Sequence, residues 1–137
     1  MFLRANVSAD GKLLQPLRAG DGFVANLGVK SFVAETDETI TTAELSGGSI
    51  QQGTTLTSDV IYTLPTAALI AAEFPTMDVG DCFMFEVTNA QAAAFDVVIG
   101  AGVGNTAVGA NNSLSVPPQS SRLFKLIKTA AATFDLF

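Results

Sequence analysis

The residues best placed to do chemistry in this chain are a glycine run, two carboxylate clusters and one cysteine. Asp96-Val97-Val98-Ile99-Gly100-Ala101-Gly102-Val103-Gly104 has the strand and glycine turn of a dinucleotide-binding fold. Its spacing is Gly100-x-Gly102-x-Gly104, with Asn105 where the third glycine of G-x-G-x-x-G belongs. Gly109, Asn111, Asn112 and Pro117 interrupt any helical window behind it, and no acidic residue stands about 20 positions on to hold a ribose. These glycines are therefore read as a loop joining two strands. Glu35-Asp37-Glu38 and Asp78-Asp81 could serve acid–base work or calcium, but neither follows the D-x-D-x-D-G order of a calcium loop. Paired carboxylates in turns are more often caps and solvated faces. The chain has no His and no Trp, which removes the commonest general base, the usual triads and most zinc sites. Cys82 is expected to be a small buried apolar group with no His to activate it. The expectation is a chain that is not an enzyme and carries no cofactor or metal.

The elements that must position these residues centre on Thr55 to Asn89. Asp59 to Leu64 alternates polar and apolar positions, with Val60, Tyr62 and Leu64 on one face of a strand. Pro65 breaks the ladder and presets the start of a helix over residues 66–74, where Leu69, Ile70 and Phe74 would share an apolar face. Pro75 ends that helix. Asp78-Val79-Gly80-Asp81 supplies a turn, and Phe83, Phe85 and Val87 then lie on one face of a second strand, opposite Cys82, Met84, Glu86 and Thr88.

Further along, Val29 to Glu35 reads as a first strand. Thr41 or Thr42 can cap a helical turn with Glu44 near its third position. Ser49 to Gly53 is a short strand or turn rim. Phe95, Val97 and Ile99 share one strand face, and short strands are expected near 106–108 and 113–116. Residues 122–129 alternate again, and Thr133 to Phe137 closes the chain as a strand. Seven or eight strands with turn signals between them imply an all-β fold: an antiparallel two-sheet sandwich, jelly-roll-like, with one short helix near 66–74. Strands and helices do not alternate, which argues against a doubly wound fold. Residues 1–30 keep neither period and are read as an extended N-terminal arm beside the sandwich domain of residues 31–137.

Composition sets the outer limits. The chain has 137 residues, 48% of them hydrophobic, enough for one domain with a real core. One cysteine excludes an internal disulfide, and no apolar run is long enough for a membrane span or signal peptide, so a soluble chain is expected. The net charge of −6 is segregated. From Ser31 to Ser121 there are ten acidic residues and no Lys or Arg. Such a body offers nothing to neutralise phosphates, so nucleic acid is not an expected partner.

The run from Thr63 to Ala72, then Val79 to Asn89, then a glycine-rich turn and the late Ser121-Arg122-Leu123-Phe124-Lys125 strand resembles the jelly-roll surface modules of tailed bacteriophages, above all their capsid decoration, or cement, proteins. The resemblance covers residues 42–137. Its T-L-P-T-A and G-D-x-F-x-F-x-V-x-N patterns carry no active-site chemistry.

The resemblance implies a structural virion protein made in the host cytoplasm. It would bind the outside of the major capsid protein lattice and stabilise the mature head by mass action, as a homo-oligomer with a trimer favoured over a dimer. The arm would supply capsid contacts through Arg4, Lys12, Leu13, Leu14, Leu17, Arg18 and Phe23. A tail-fibre or receptor- and glycan-binding sandwich is the alternative, to be recognised by Tyr62 and several Phe side chains exposed in one groove.

Overall fold

The computed structural model describes residues 29–32, 36–53, 55–109 and 114–137. In chain order the elements are β1 (Val29–Phe32), β2 (Glu38–Thr39), α1 (Thr42–Ser46), β3 (Ser49–Gln52), β4 (Val60–Thr63) and α2 (Ala67–Glu73). They are followed by β5 (Cys82–Asn89), β6 (Val97–Gly100), β7 (Asn105–Ala107), β8 (Ser115–Val116), β9 (Ser120–Ala130) and β10 (Thr133–Leu136). Among the described residues, no helix is long and apolar enough to cross a membrane.

Both helices start where the side chains say they should. Thr41 caps α1 in a capping box: its hydroxyl accepts the Glu44 N–H at 3.3 Å, while the Glu44 carboxylate accepts the Thr41 N–H at 2.9 Å. Thr66, after Pro65, caps α2 by accepting the Leu69 N–H. The expected apolar face of α2 is shifted, however. Ile70 is buried and Phe74 half-buried, but Leu69 is 56% exposed and its place is taken by Ala67. Ala67 and Ile70 are three apart and meet on one side, whereas Leu69 and Ile70 lie about 100° apart around the axis.

The strands form two sheets, as expected, but the sheets are mixed rather than antiparallel. One has six strands in the order β1-β3-β5-β9-β10-β7, the other four in the order β2-β4-β6-β8. β1, β3 and β5 run parallel, as do β2, β4 and β6; antiparallel pairing enters only with β8, β9 and β10. β7 adds one more parallel pair at the far edge. Parallel neighbours need a long crossover. Here the crossover is the opposite sheet: from β1 to β8 successive strands alternate between the two sheets, so the chain winds as stacked coils. Glu38 lies beside Tyr62 and Tyr62 beside Ile99, coils of 24 and 37 residues.

Alternation buries one face of each sheet. Ile50, Phe85, Val87, Phe124, Leu126, Phe134 and Leu136 from the larger sheet meet Val60, Tyr62, Val97, Ile99 and Val116 from the smaller one. Phe85 and Phe124 sit opposite in the β5–β9 register with ring centroids 5.5 Å apart. Fully burying a side chain of this size contributes roughly 1.5–3 kcal/mol, which makes this stripe the main source of stability.

Polar groups enter the core in pairs. Gln52 and Asn89 are register partners on adjacent parallel strands and both are fully buried. Gln52 donates from Nε2 to the Tyr62 hydroxyl at 2.6 Å, tying β3 to β4 across the core. Asn89 donates from Nδ2 to the carbonyls of Phe95 and Val116, both at 3.0 Å, which ties β5 to the opposite sheet. The bonded amide nitrogens fix the registration of one sheet on the other, while the buried Asn89 Oδ1 accepts no hydrogen bond among the described residues.

Candidate functional site

Asp37 and Asp81, from the two carboxylate clusters singled out by sequence, tie backbone to backbone, and Asp59 does the same. Asp37 Oδ1 accepts the Ile61 N–H at 2.8 Å, Asp59 Oδ1 accepts the Asp96 N–H at 2.8 Å, and Asp81 Oδ2 accepts the Asp78 N–H at 2.8 Å. In a body without cations these acids find amide donors instead, an Asx-type use of the side chain. Among the described residues no three acidic or cysteine side chains converge as a metal set. Glu35 lies outside the described residues.

The glycine run is a close-packed turn. Gly102 has φ +76°, and a Cβ there would stand 2.3 Å from the Leu64 carbonyl oxygen; at Gly104, φ +82°, it would stand 2.9 Å from the Ala67 Cβ. The turn thereby lies against the start of α2, where the Val103 carbonyl accepts the Ala67 N–H at 2.9 Å. Strand β7, not a helix, follows, so the run lacks the helix N-terminus that a pyrophosphate needs.

Cys82 was expected to be buried and is exposed. It shares the outward face of β5 with Met84, Glu86 and Thr88, because Phe85 and Val87 have claimed the core by alternation. Arg122, Phe124, Leu126 and Lys128 fall on the opposite parity of β9. The apolar pair is buried, and the two cations leave the stripe at its ends: Arg122 Nη1 donates to the Ser115 carbonyl at 3.1 Å and Lys128 Nζ to the Met77 carbonyl at 2.6 Å.

That arrangement leaves an outward face on the six-stranded sheet. Met84 is 56% exposed and Leu123 61%, and they are diagonal neighbours across the β5–β9 ladder, where Met84 opposes Lys125 and Glu86 opposes Leu123. Lys125 reaches over the Phe137 ring, 5.1 Å from its centroid, and Phe137 is itself exposed. This sheet face thus carries large exposed apolar side chains beside Lys125 and Glu86. Alternation in β5 gave this face away, since Met84 had to point opposite to Phe83 and Phe85. The exposure of Leu123 was less legible, because Arg122 and Leu123 compete for the inward position and only the buried Phe124 settles the parity.

The arm residues Arg4, Lys12, Leu13, Leu14, Leu17, Arg18 and Phe23 lie outside the described residues. Tyr62 is buried completely, and burial, together with the nearby Glu38 charge, pushes its phenol up to about 12 against the lowering effect of the Gln52 hydrogen bond. Phe85, Phe124 and Phe134 are buried as well, so no aromatic groove of the expected sugar-binding kind includes these rings. Compared with known proteins, the chain matches no family model, no curated protein and no solved structure.

Proposed function

We propose that this chain is a structural virion protein of a tailed bacteriophage, a capsid decoration protein that binds the outside of the major capsid protein lattice and stabilises the mature head. The reading takes the two-sheet body as a relative of the jelly-roll modules that its sequence resembles, with the parallel coils as its departure from an all-antiparallel ladder. The observation that carries it is the outward face of the six-stranded sheet, where Met84 and Leu123 stand exposed beside Lys125 and Phe137. Of the carboxylates considered for catalysis, Asp37 and Asp81 accept backbone N–H bonds that tie a strand and a turn. In this reading the protein assembles as a homo-oligomer, a trimer in preference to a dimer, and the segment of residues 1–30 adds contacts of its own. Binding only the assembled lattice would stabilise that lattice by mass action.

The test is co-sedimentation of the full-length protein with expanded heads, for the natural sequence and for a Met84→Ser, Leu123→Ser double variant, with the mass in solution measured alongside. The natural sequence should bind saturably and raise the temperature at which heads disrupt. The double variant should fold, because both side chains are already in solvent, and should lose most of that binding. Failure of the natural protein to bind heads ends the decoration reading.

A further inference from the structure

At the end of the sandwich away from the glycine turn, β8, the start of β9 and Asp96, just before β6, border a half-open cleft of about 450 Å³ lined by Asp96, Ser115, Pro117, Ser120, Ser121 and Arg122. This is within the size range of small-ligand sites. We infer that the cleft is a binding site for a neutral polyol, a saccharide unit that presents adjacent hydroxyls to Asp96. The inference does not rest on the decoration reading, although Ser121 borders the outward sheet face that carries Met84 and Leu123.

The hydrogen-bond inventory of the cleft selects that class. Ser115 donates its hydroxyl hydrogen to Asp96 Oδ2, and Ser120 donates its own to the Pro117 carbonyl at 2.6 Å. Ser121 shares a hydrogen with Thr88 at 2.7 Å. The Ser115 and Ser120 hydrogens are spent, so those oxygens offer a ligand lone pairs only. Asp96 adds Oδ1, to which nothing donates among the described residues. Apart from the Arg122 guanidinium, the side chains of the lining are thus rich in acceptors, and they favour an occupant that brings several donors.

Charge narrows the choice further. Asp96 disfavours an anion and Arg122 disfavours a cation, so a neutral donor-rich molecule meets both groups without leaving either opposed by a like charge. A zwitterion balances the charges, but a carboxylate wants the bidentate fork of a guanidinium, and Arg122 Nη1 is committed to the Ser115 carbonyl. A polyol asks less: two hydroxyls on one carboxylate, with the serine oxygens accepting a third. The exposed ring of Pro117 offers an apolar surface for the C–H face of a pyranose.

The turn beside the cleft is also held in an unusual conformation. Gln119, between Pro118 and Ser120, has φ +55°, the one positive φ at a non-glycine residue among the described residues. Backbone strain of this kind is retained where surrounding structure fixes it, and it concentrates at binding sites. Here it closes the turn that brings Pro117, Ser120 and Ser121 to one rim.

The experiment is amide-resolved NMR of the full-length protein titrated in turn with methyl α-glucopyranoside, methyl α-mannopyranoside, methyl α-galactopyranoside, glycine and inorganic phosphate. At least one glycoside should shift the amides of Asp96, Ser115 and Gln119 to Arg122 saturably, while glycine and phosphate leave them in place. Asp96→Asn keeps an oxygen for the Ser115 hydroxyl, and should weaken that glycoside by about tenfold, the loss expected for a charge-assisted bond. The inference is overturned if no glycoside moves these amides, if the shifts fall elsewhere on the surface, or if glycine or phosphate moves them as strongly. Because mapping on the natural sequence decides between these outcomes, the result does not depend on how well the variant folds.

Discussion

Tyr62 allows a prediction free of overlapping signals, because it is the single tyrosine of a chain without tryptophan. The phenol is fully buried on β4, bonded to Gln52 from the facing sheet and flanked in register by Glu38. Its folded value is raised to about 12 from an ordinary 10.0, mostly by burial and next by the Glu38 charge. The unfolded chain therefore gives up the phenolic proton near pH 10 while the folded chain keeps it to about pH 12. With fewer protons on the unfolded state, stability falls as pH rises through that window and is fully retained below it. At about 1.36 kcal/mol per pH unit the ceiling is about 2.7 kcal/mol, and solvent screening of the half-exposed Glu38 brings the expected loss to about 1–2 kcal/mol. The assay has two parts: phenolate absorbance against pH on the folded protein, and denaturant midpoints at pH 9 to 12 for the natural sequence and for Tyr62→Phe, each pH chosen to span the stated window. Other groups titrate there too, so the difference between the two proteins isolates Tyr62. At neutral pH Tyr62→Phe should be less stable by about 1–2 kcal/mol, since Gln52 loses a buried partner, and the gap should narrow as pH climbs. A phenolate midpoint near the ordinary value in folded protein, or a gap that stays constant with pH, would refute the reasoning.

Three further expectations follow from local geometry. Gly102→Ala and Gly80→Ala both place a side chain at positive φ, but only Gly102 meets an obstacle, the Leu64 carbonyl at 2.3 Å. Thermal or chemical denaturation should show Gly80→Ala losing about 1–2 kcal/mol from backbone strain alone and Gly102→Ala losing clearly more, about 3 kcal/mol or above. Thr41→Ala removes the hydroxyl half of the α1 capping box and should cost about 1 kcal/mol; Thr41→Ser should restore it. Cys82, exposed on the outward sheet face, should react fully with a water-soluble maleimide under native conditions. The label should then block lattice binding if that face is the one that docks. Retained binding after complete labelling would move the contact elsewhere.

Sequence reasoning reached most of the elements because each was written in local chemistry. The Thr41–Glu44 box, the Leu64-Pro65-Thr66 helix start, and the alternation of Val60 with Tyr62 and of Phe85 with Val87 need only near neighbours, and all stand where they were read. Cys82 was misjudged by residue type: a free cysteine favours the interior, yet its parity against Phe83 and Phe85 already placed it outside. The two-residue strand β2 was missed because Glu38 and Thr39 belong to the Thr36-Asp37-Glu38-Thr39 run that reads as the stop after the first strand, and a strand that short has no periodicity to detect.

Parallel pairing was the larger omission, and its trace in the sequence is of another kind. Parallel strands were discounted because helices do not alternate with strands, which is the usual way to cross from one parallel strand to the next. A coil that crosses through the opposing sheet escapes that test. Its signature is self-similarity close to the coil period: Ile40-Thr41-Thr42-Ala43-Glu44-Leu45 recurs as Leu64-Pro65-Thr66-Ala67-Ala68-Leu69, 24 residues on, the offset that pairs Glu38 with Tyr62. One added residue sets the helix caps Thr41 and Thr66 apart by 25. The Ile40 N–H bonds to the Thr63 carbonyl at 2.8 Å and the Leu64 N–H to that of Gly100 at 2.8 Å, so each coil repeats the hydrogen bond of the one before. The third coil accepts the bond of the second at Gly100 and drops the helix. Gly100, Gly102 and Gly104 stand where Thr63, Pro65 and Ala67 stood, and the tight turn they form lets Val103 seal the start of α2. The glycine run that suggested a cofactor is thus the place where a repeated coil ends and the antiparallel strands begin to close the sheets.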